Sequence, residues 1–273
     1  MSGRLGKLAL RWYNYLVFAF LLAPLVVIVL SSLTRTDYIV FPPKGITLRW
    51  YLEIFKHEEF LQSFALSAFV ATLASLVSVA LGTPVAIATA RHRFPGREFF
   101  NTLFLSPLML PSVVLGVALL QYYSRLGIAS SPYSLVLGHL ILTVPYVVRL
   151  VSASLAGMDP SVERAAAGLG ASPWQVFWRV TLPIIKSGVI AGGAFAFVIS
   201  FDDLTVALFI VSTDMVTLPV RIFTYMQYQY DPLITSVSTA MIGLAAVAMF
   251  VIERVLGLGK LFQTEGGGLG HGA

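Results

Sequence analysis

The charged residues of this chain are spaced so that they leave long apolar windows between them. Windows free of Asp, Glu, Lys and Arg cover 12–34, 60–90, 99–124, 126–148 and 232–252, and 187–213 would join them but for Asp202 and Asp203. A helix rising about 1.5 Å per residue needs roughly 20 such residues to cross the hydrocarbon layer. The pattern predicts an all-α, polytopic membrane protein with six transmembrane helices, at about 12–34, 62–90, 99–124, 131–156, 187–213 and 232–254. The first window follows Arg4, Lys7 and Arg11 as a secretory signal would, but it is long and lacks a small-residue cleavage pattern, so it reads as a retained helix behind a cytoplasmic N-terminus, 1–11. Residues 12–264 form a single transmembrane domain, 35–59 an external loop with a short surface helix at 48–55, and the Gly-rich 265–273 a flexible tail.

Composition supports the pattern. With 57% hydrophobic and 11% charged residues and a mean hydropathy of +0.84, the chain has too few polar side chains to coat a soluble globule. A disordered chain and a disulfide-stapled secreted domain are both excluded, the second because there is no cysteine. The net charge of +5 comes from scattered basic residues, which suits the headgroups of a lipid bilayer and not nucleic acid. Placing the N-terminus, the turn at 90–98, the segment 149–186 and the C-terminus on one side collects twelve of the 18 Lys and Arg. The other side keeps Arg35, Lys44, Arg49, Lys56, Arg125 and Arg221. By the positive-inside rule both termini are cytoplasmic, as an even number of crossings requires.

Between the fourth and fifth spans, 158–183 has its own punctuation. Asp159 can cap a helix opening at Pro160, and Gly168 or Gly170 can end it in a left-handed conformation. Ser172-Pro173 repeats the signal for a second helix to about Val180, before Leu182-Pro183 turns the chain into the membrane. The expected product is a cytoplasmic loop of two short helices joined by a glycine elbow. Ala165, Ala166 and Ala167 let another surface come close, while Glu163, Arg164 and Arg179 can fix its register by charge. The same pattern also suits an amphipathic helix lying on lipid.

This stretch resembles the "EAA" loop of the membrane subunits of binding-protein-dependent ATP-binding-cassette importers. Ala165-Ala166 is followed after three residues by Gly170, and nine residues later come Val180, Thr181, Leu182 and Pro183. The family's glutamate position holds Arg164, with Glu163 one residue earlier, which leaves open which charge faces the ATPase. Gly82-Thr83-Pro84, the run from Arg91 to Arg97, and Ser200-Phe201-Asp202-Asp203-Leu204 look like the spermidine/putrescine branch. The resemblance implies a permease in the bacterial inner membrane whose 158–183 loop couples to a cytoplasmic ATPase. It further implies a second permease subunit, two ATPase subunits and an external solute-binding protein, with ATP and Mg²⁺ bound on the partner ATPase and no cofactor on this chain. Independently, the chain has no Gly-x-x-x-x-Gly-Lys-Ser/Thr loop to cradle ATP.

Asp202 and Asp203 fall inside an otherwise apolar window, where a carboxylate costs on the order of 2.5–3.5 kcal/mol and generally faces a water-filled pathway or a partner. Contact with cargo is the leading reading. Adjacent helical residues point about 100° apart, so one aspartate can instead cap a broken helix or lock two spans together. Gly188, Gly192, Gly193 and Ala196 form a small-residue stripe suited to close helix packing, and Pro107, Pro111 and Pro145 suit kinks. His139 stands alone in its span and reads as a packed, hydrogen-bonded residue; no metal site and no catalytic residue is predicted. The rival reading is an ion-coupled secondary transporter using Asp202 and Asp203, which leaves the 158–183 loop without a role. A membrane hydrolase is disfavoured because the four histidines are scattered with no nucleophile and base in reach.

Overall fold

The computed structural model describes residues 2–129 and 131–256, which contain helices and no strand. The expected tail at 265–273 lies outside the described residues. In chain order the helices are α1 (Ser2–Ser31), α2 (Arg49–Ile54), α3 (Glu58–Arg91), α4 (Arg97–Leu105), α5 (Ser112–Leu126), α6 (Pro132–Ala156), α7 (Ser161–Gly168), α8 (Pro173–Val176), α9 (Leu182–Asp202), α10 (Thr205–Ile210), α11 (Leu218–Tyr228) and α12 (Pro232–Leu256). A short 3₁₀ turn, Ser106–Met109, follows α4, and a π-helical turn, Phe177–Thr181, joins α8 to α9. The described residues divide into two compact units, one made of 2–61 and 221–246, the other centred on 62–220.

In the first unit α1 supplies an apolar stretch, Gly6–Ser31, that is long enough to cross a membrane and almost wholly exposed. That is the state of a helix whose solvent is lipid. α2 sits where the sequence predicts a surface helix. It is fastened by the buried Trp50, whose Nε1 donates to the Thr34 carbonyl at 3.0 Å, and by Tyr51, whose hydroxyl is 2.6 Å from Ser32 Oγ. Ser236 of α12 donates to the Ser32 carbonyl at 3.3 Å, and Phe60 packs edge-on against Tyr225, 5.3 Å between centroids.

The second unit is organised around α6. One apolar cluster joins Val70 and Ala74 of α3, Leu115 and Leu119 of α5, Leu135 of α6, and Val206 and Ile210 of α10. Another joins Ala86 of α3, Val147, Val151 and Leu155 of α6, and Ile185 and Ala196 of α9. Glycine makes the α6–α9 approach possible. A Cβ on Gly188 would lie 2.5 Å from Ser154 Cβ, and one on Gly192 would lie 3.1 Å from Val147 Cα. The small-residue stripe is thus a packing seam, as expected where van der Waals contact drives association between membrane helices.

Three expectations about spans need correction. The window 99–124 is not one helix: Arg97–Met109 and Ser112–Leu126 are bent by 106°. Pro107 and Pro111 each lack an N–H, and Leu110 between them is extended at ψ 135°. The span expected to begin at 187 is a continuous apolar helical stretch, Pro173–Asp202, and it stops at Asp202, not at 213. Leu182-Pro183 therefore does not turn the chain. The Leu182 N–H reaches five residues back to the Phe177 carbonyl, and this wider turn accommodates the donor that Pro183 lacks without changing direction. Four stretches among the described residues are long and apolar enough to cross a membrane, five when the bent pair counts as one.

Candidate functional site

The 158–183 loop is built from local signals. The Asp159 carboxylate accepts the Ser161 N–H at 2.8 Å, and these Ser161 hydrogen bonds hold its pKa below the usual value. α7 then runs to Gly168, and Gly170 turns the chain at φ +90°, a conformation that strains any residue with a Cβ. Ser172 and Gln175 form a reciprocal capping box that opens α8. The two helices and glycine elbow predicted from sequence are present, with the second helix continuing into α9.

The site residues expected on this loop separate into two groups. Arg164, Ala165, Ala167 and Gly170 are exposed and Ala166 is half-buried, with Leu169 beside them 90% exposed. Glu163 instead turns inward. Its Oε1 accepts the Thr181 hydroxyl at 2.6 Å, and its Oε2 lies 3.1 Å from Arg91 Nε at the end of α3. Leu182 and Pro183 lie inside the helical stretch behind. Between α7 and that stretch is a groove of ≈ 670 Å³, lined in part by Ile87, Arg91, Ala167, Pro173 and Phe177. Arg91 and Thr181 were not singled out from sequence. Arg91 stands in the quoted Arg-rich run, but only the fold brings it to Glu163.

The two aspartates are divided by a helix break. Asp202 is the last residue of α9 and is exposed; Asp203, with ψ 113°, is extended. The Asp203 carboxylate accepts the N–H groups of Val206 and Ala207 at 3.4 and 2.8 Å, so it caps α10. Behind it His139 is fully buried, with Nδ1 2.6 Å from Ser200 Oγ, and its Nε2 lies 3.8 Å from Asp203 Oδ2, beyond hydrogen-bond reach. A chain of buried polar contacts continues from the His139 carbonyl to Thr143 at 2.7 Å and from Thr143 to Ser78 at 2.7 Å. The lone histidine is thus the packed residue the sequence implied.

Both aspartates line a cavity of ≈ 270 Å³ whose opposite wall is Pro107, Leu108 and Leu110 of the bend, with Ser112 and Tyr146 beside them. The bend around Leu110 and the helix break at Asp203 therefore meet at one space. In hydrocarbon, irregular backbone is tolerated only where it is buried in protein or lines a water-filled cavity. Sequence reasoning named the prolines and the aspartates separately; their meeting depends on the 106° bend.

Residues 78–258, which include both sites, match the family described as the inner membrane component of binding-protein-dependent transport systems. The chain belongs to this family. Among its relatives, the spermidine/putrescine transport system permease protein PotC of Haemophilus influenzae is 29% identical over 244 residues, 89% of this chain and 94% of the relative. The putrescine transport system permease protein PotI of Escherichia coli is 31% identical over 241 residues, 86% of this chain and 85% of the relative. The fold is shared with a bacterial ABC transporter for import of the acidic polysaccharide alginate, at TM-score 0.71 and 15% identity over 94% of this chain and 96% of that one. It is also shared with the inward-facing methionine ABC transporter MetNI, at TM-score 0.60 and 13% identity over 77% and 98%. This inner membrane component is a transport protein, not an enzyme.

Proposed function

We propose that this permease forms the pathway for a small organic polycation, a polyamine, and is driven by a separate cytoplasmic ATPase that docks on the 158–183 loop. In this reading the chain crosses the membrane six times with both termini cytoplasmic and assembles with a second permease subunit, two ATPase subunits and an external solute-binding protein. Docking falls to the exposed Arg164, Ala165 and Ala167 and the half-buried Ala166 among them, where small side chains leave the backbone open to close approach. Asp202 provides counter-charge for the cargo in the cavity it shares with Tyr146, whose ring face suits an ammonium group. Asp203 is committed to capping α10 and acts as the structural member of the pair.

The observation that carries this reading is the placement of Asp202, an exposed carboxylate at a helix end, on a cavity lined both by the bend at Pro107, Leu108 and Leu110 and by the helix break at Asp203. The names of the relatives, PotC and PotI, support the class of cargo. The test is uptake of radiolabelled putrescine by the reconstituted complex. Uptake that needs ATP and the binding protein is expected. Uptake by this chain alone on an ion gradient, or crosslinks from Ala166 and Ala167 that never reach an ATPase, would overturn the reading.

A further inference from the structure

α7 has no buried residue. A two-turn helix of mostly small side chains with nothing inserted into a core cannot pass on a push by packing, because the loop would yield before the helices behind it moved. Something other than apolar burial has to stiffen it. The structure offers one such connection, at the inward face of Glu163.

We propose that Arg91, Glu163 and Thr181 form a latch that makes α7, the end of α3, the end of α6 and the start of α9 move together, so that Glu163 transmits force from the docking surface instead of contacting the ATPase. This rests on the reading of the loop as the docking element. Both carboxylate oxygens are used, one by the buried Thr181 hydroxyl at 2.6 Å and one by Arg91 Nε at 3.1 Å. The two charged side chains are only 16% and 18% exposed. Arg91 extends the connection, since a terminal nitrogen of its guanidinium lies 3.3 Å from the Met158 carbonyl and 3.5 Å from that of Leu155, at the end of α6. Thr181 belongs to the π-helical turn through which the loop feeds α9. The carboxylate of α7 thus joins the end of α3 to the π-helical turn before α9, and Arg91 ties in the end of α6. The two opposite charges form a largely shielded ion pair, and removing one partner strands the other.

The latch also accounts for the order of the charges. Successive residues on a helix point about 100° apart, so with Glu163 turned inward Arg164 is left facing out, where it is exposed. The departure from the family's glutamate position then concerns the docking face, while the inward charge is kept one residue earlier.

The test uses the full complex with Arg91→Ala, Glu163→Gln and the conservative Arg91→Lys. Since the chain has no cysteine, Ser161→Cys and Lys186→Cys can carry spin labels on α7 and α9 in each background. The latch predicts that Arg91→Ala and Glu163→Gln keep the ATPase bound but lower putrescine taken up per ATP hydrolysed by about tenfold. It predicts a broadened label-to-label distance in both, with Arg91→Lys recovering most of the ratio and the narrow distribution. An unchanged ratio and width in both variants would overturn it, as would loss of ATPase binding by Glu163→Gln while Arg91→Ala binds normally. Should the unaltered complex take up no putrescine, the reading of the cargo fails, and the distance distributions still decide the latch.

Discussion

The two ends of the helical stretch Pro173–Asp202 are both irregular, and they are irregular in opposite ways. At the loop end the chain lacks a donor at Pro183, and the backbone answers by widening into a π turn and carrying on in the same direction. At the other end no proline intervenes, yet the helix stops, because the Asp203 carboxylate takes the N–H groups of Val206 and Ala207 and starts a new segment. A missing donor can be bypassed one residue away; a side chain that outcompetes the helix for the next donors cannot. The result is a rod of 30 residues, about 45 Å at the α-helical rise, running without a bend from the glycine elbow to the cavity. A displacement at the loop therefore arrives at Asp202 as a displacement and not as a local flex.

The largest effect should come from the break. Asp203→Ala leaves two N–H groups of α10 without their acceptor in a buried setting, and should lower stability by about 2 kcal/mol. That predicts loss of thermal stability of the purified complex by fluorescence-monitored unfolding, with Asp203→Asn, which keeps an acceptor oxygen, losing much less. Asp202→Ala makes the opposite case: an exposed carboxylate that caps nothing should leave unfolding unchanged while reducing putrescine uptake. Equal melting losses for the two alanine variants would remove the division of labour between the aspartates.

These two ends were not equally readable in the sequence. The elbow was legible because its signals are local: Asp159, Gly170 and Ser172-Pro173 act on neighbours within four residues, and each sits where its chemistry predicts. Leu182-Pro183 misled because proline reports a missing donor, and whether the backbone then breaks or widens depends on what holds the flanking turn. Here Thr181 is fixed by Glu163, 18 positions away. The cavity was illegible for the same reason at larger scale. Pro107, Tyr146 and Asp202 lie on different elements, and only the α6–α9 seam through Gly188 and Gly192 and the bend before α5 bring them together.

A smaller effect separates the two ends mechanically. Pro183→Ala restores an N–H, which lets the π turn relax to an α turn; one residue fewer in the wide turn rotates the helix before it by about 100°. Thr181 would leave Glu163. Stability should hold or rise slightly, while uptake per ATP falls a few-fold, by the same assay used for the latch. A complex that keeps its full ratio with Ala at 183 would mean that the register of the loop end is immaterial and that the rod transmits without it.

The smallest effect is expected at Ser172, and its smallness is informative. Ser172 Oγ accepts the Gln175 N–H at 3.3 Å, and Gln175 Oε1 accepts the Ser172 N–H at 2.9 Å, so the same device that ends the rod at Asp203 opens it here. This cap is exposed, and water can replace the lost oxygen. Ser172→Ala should cost about 1 kcal/mol, seen as amide exchange at 174–176 accelerated about fivefold, with melting and uptake close to unchanged. The Asp203 cap lies beside fully buried His139 with its own side chain only 11% exposed, so its N–H partners have less access to a substitute acceptor. If Ser172→Ala proved as damaging as Asp203→Ala, the environment of the cap would not matter, and the break at the cavity would be an ordinary helix end.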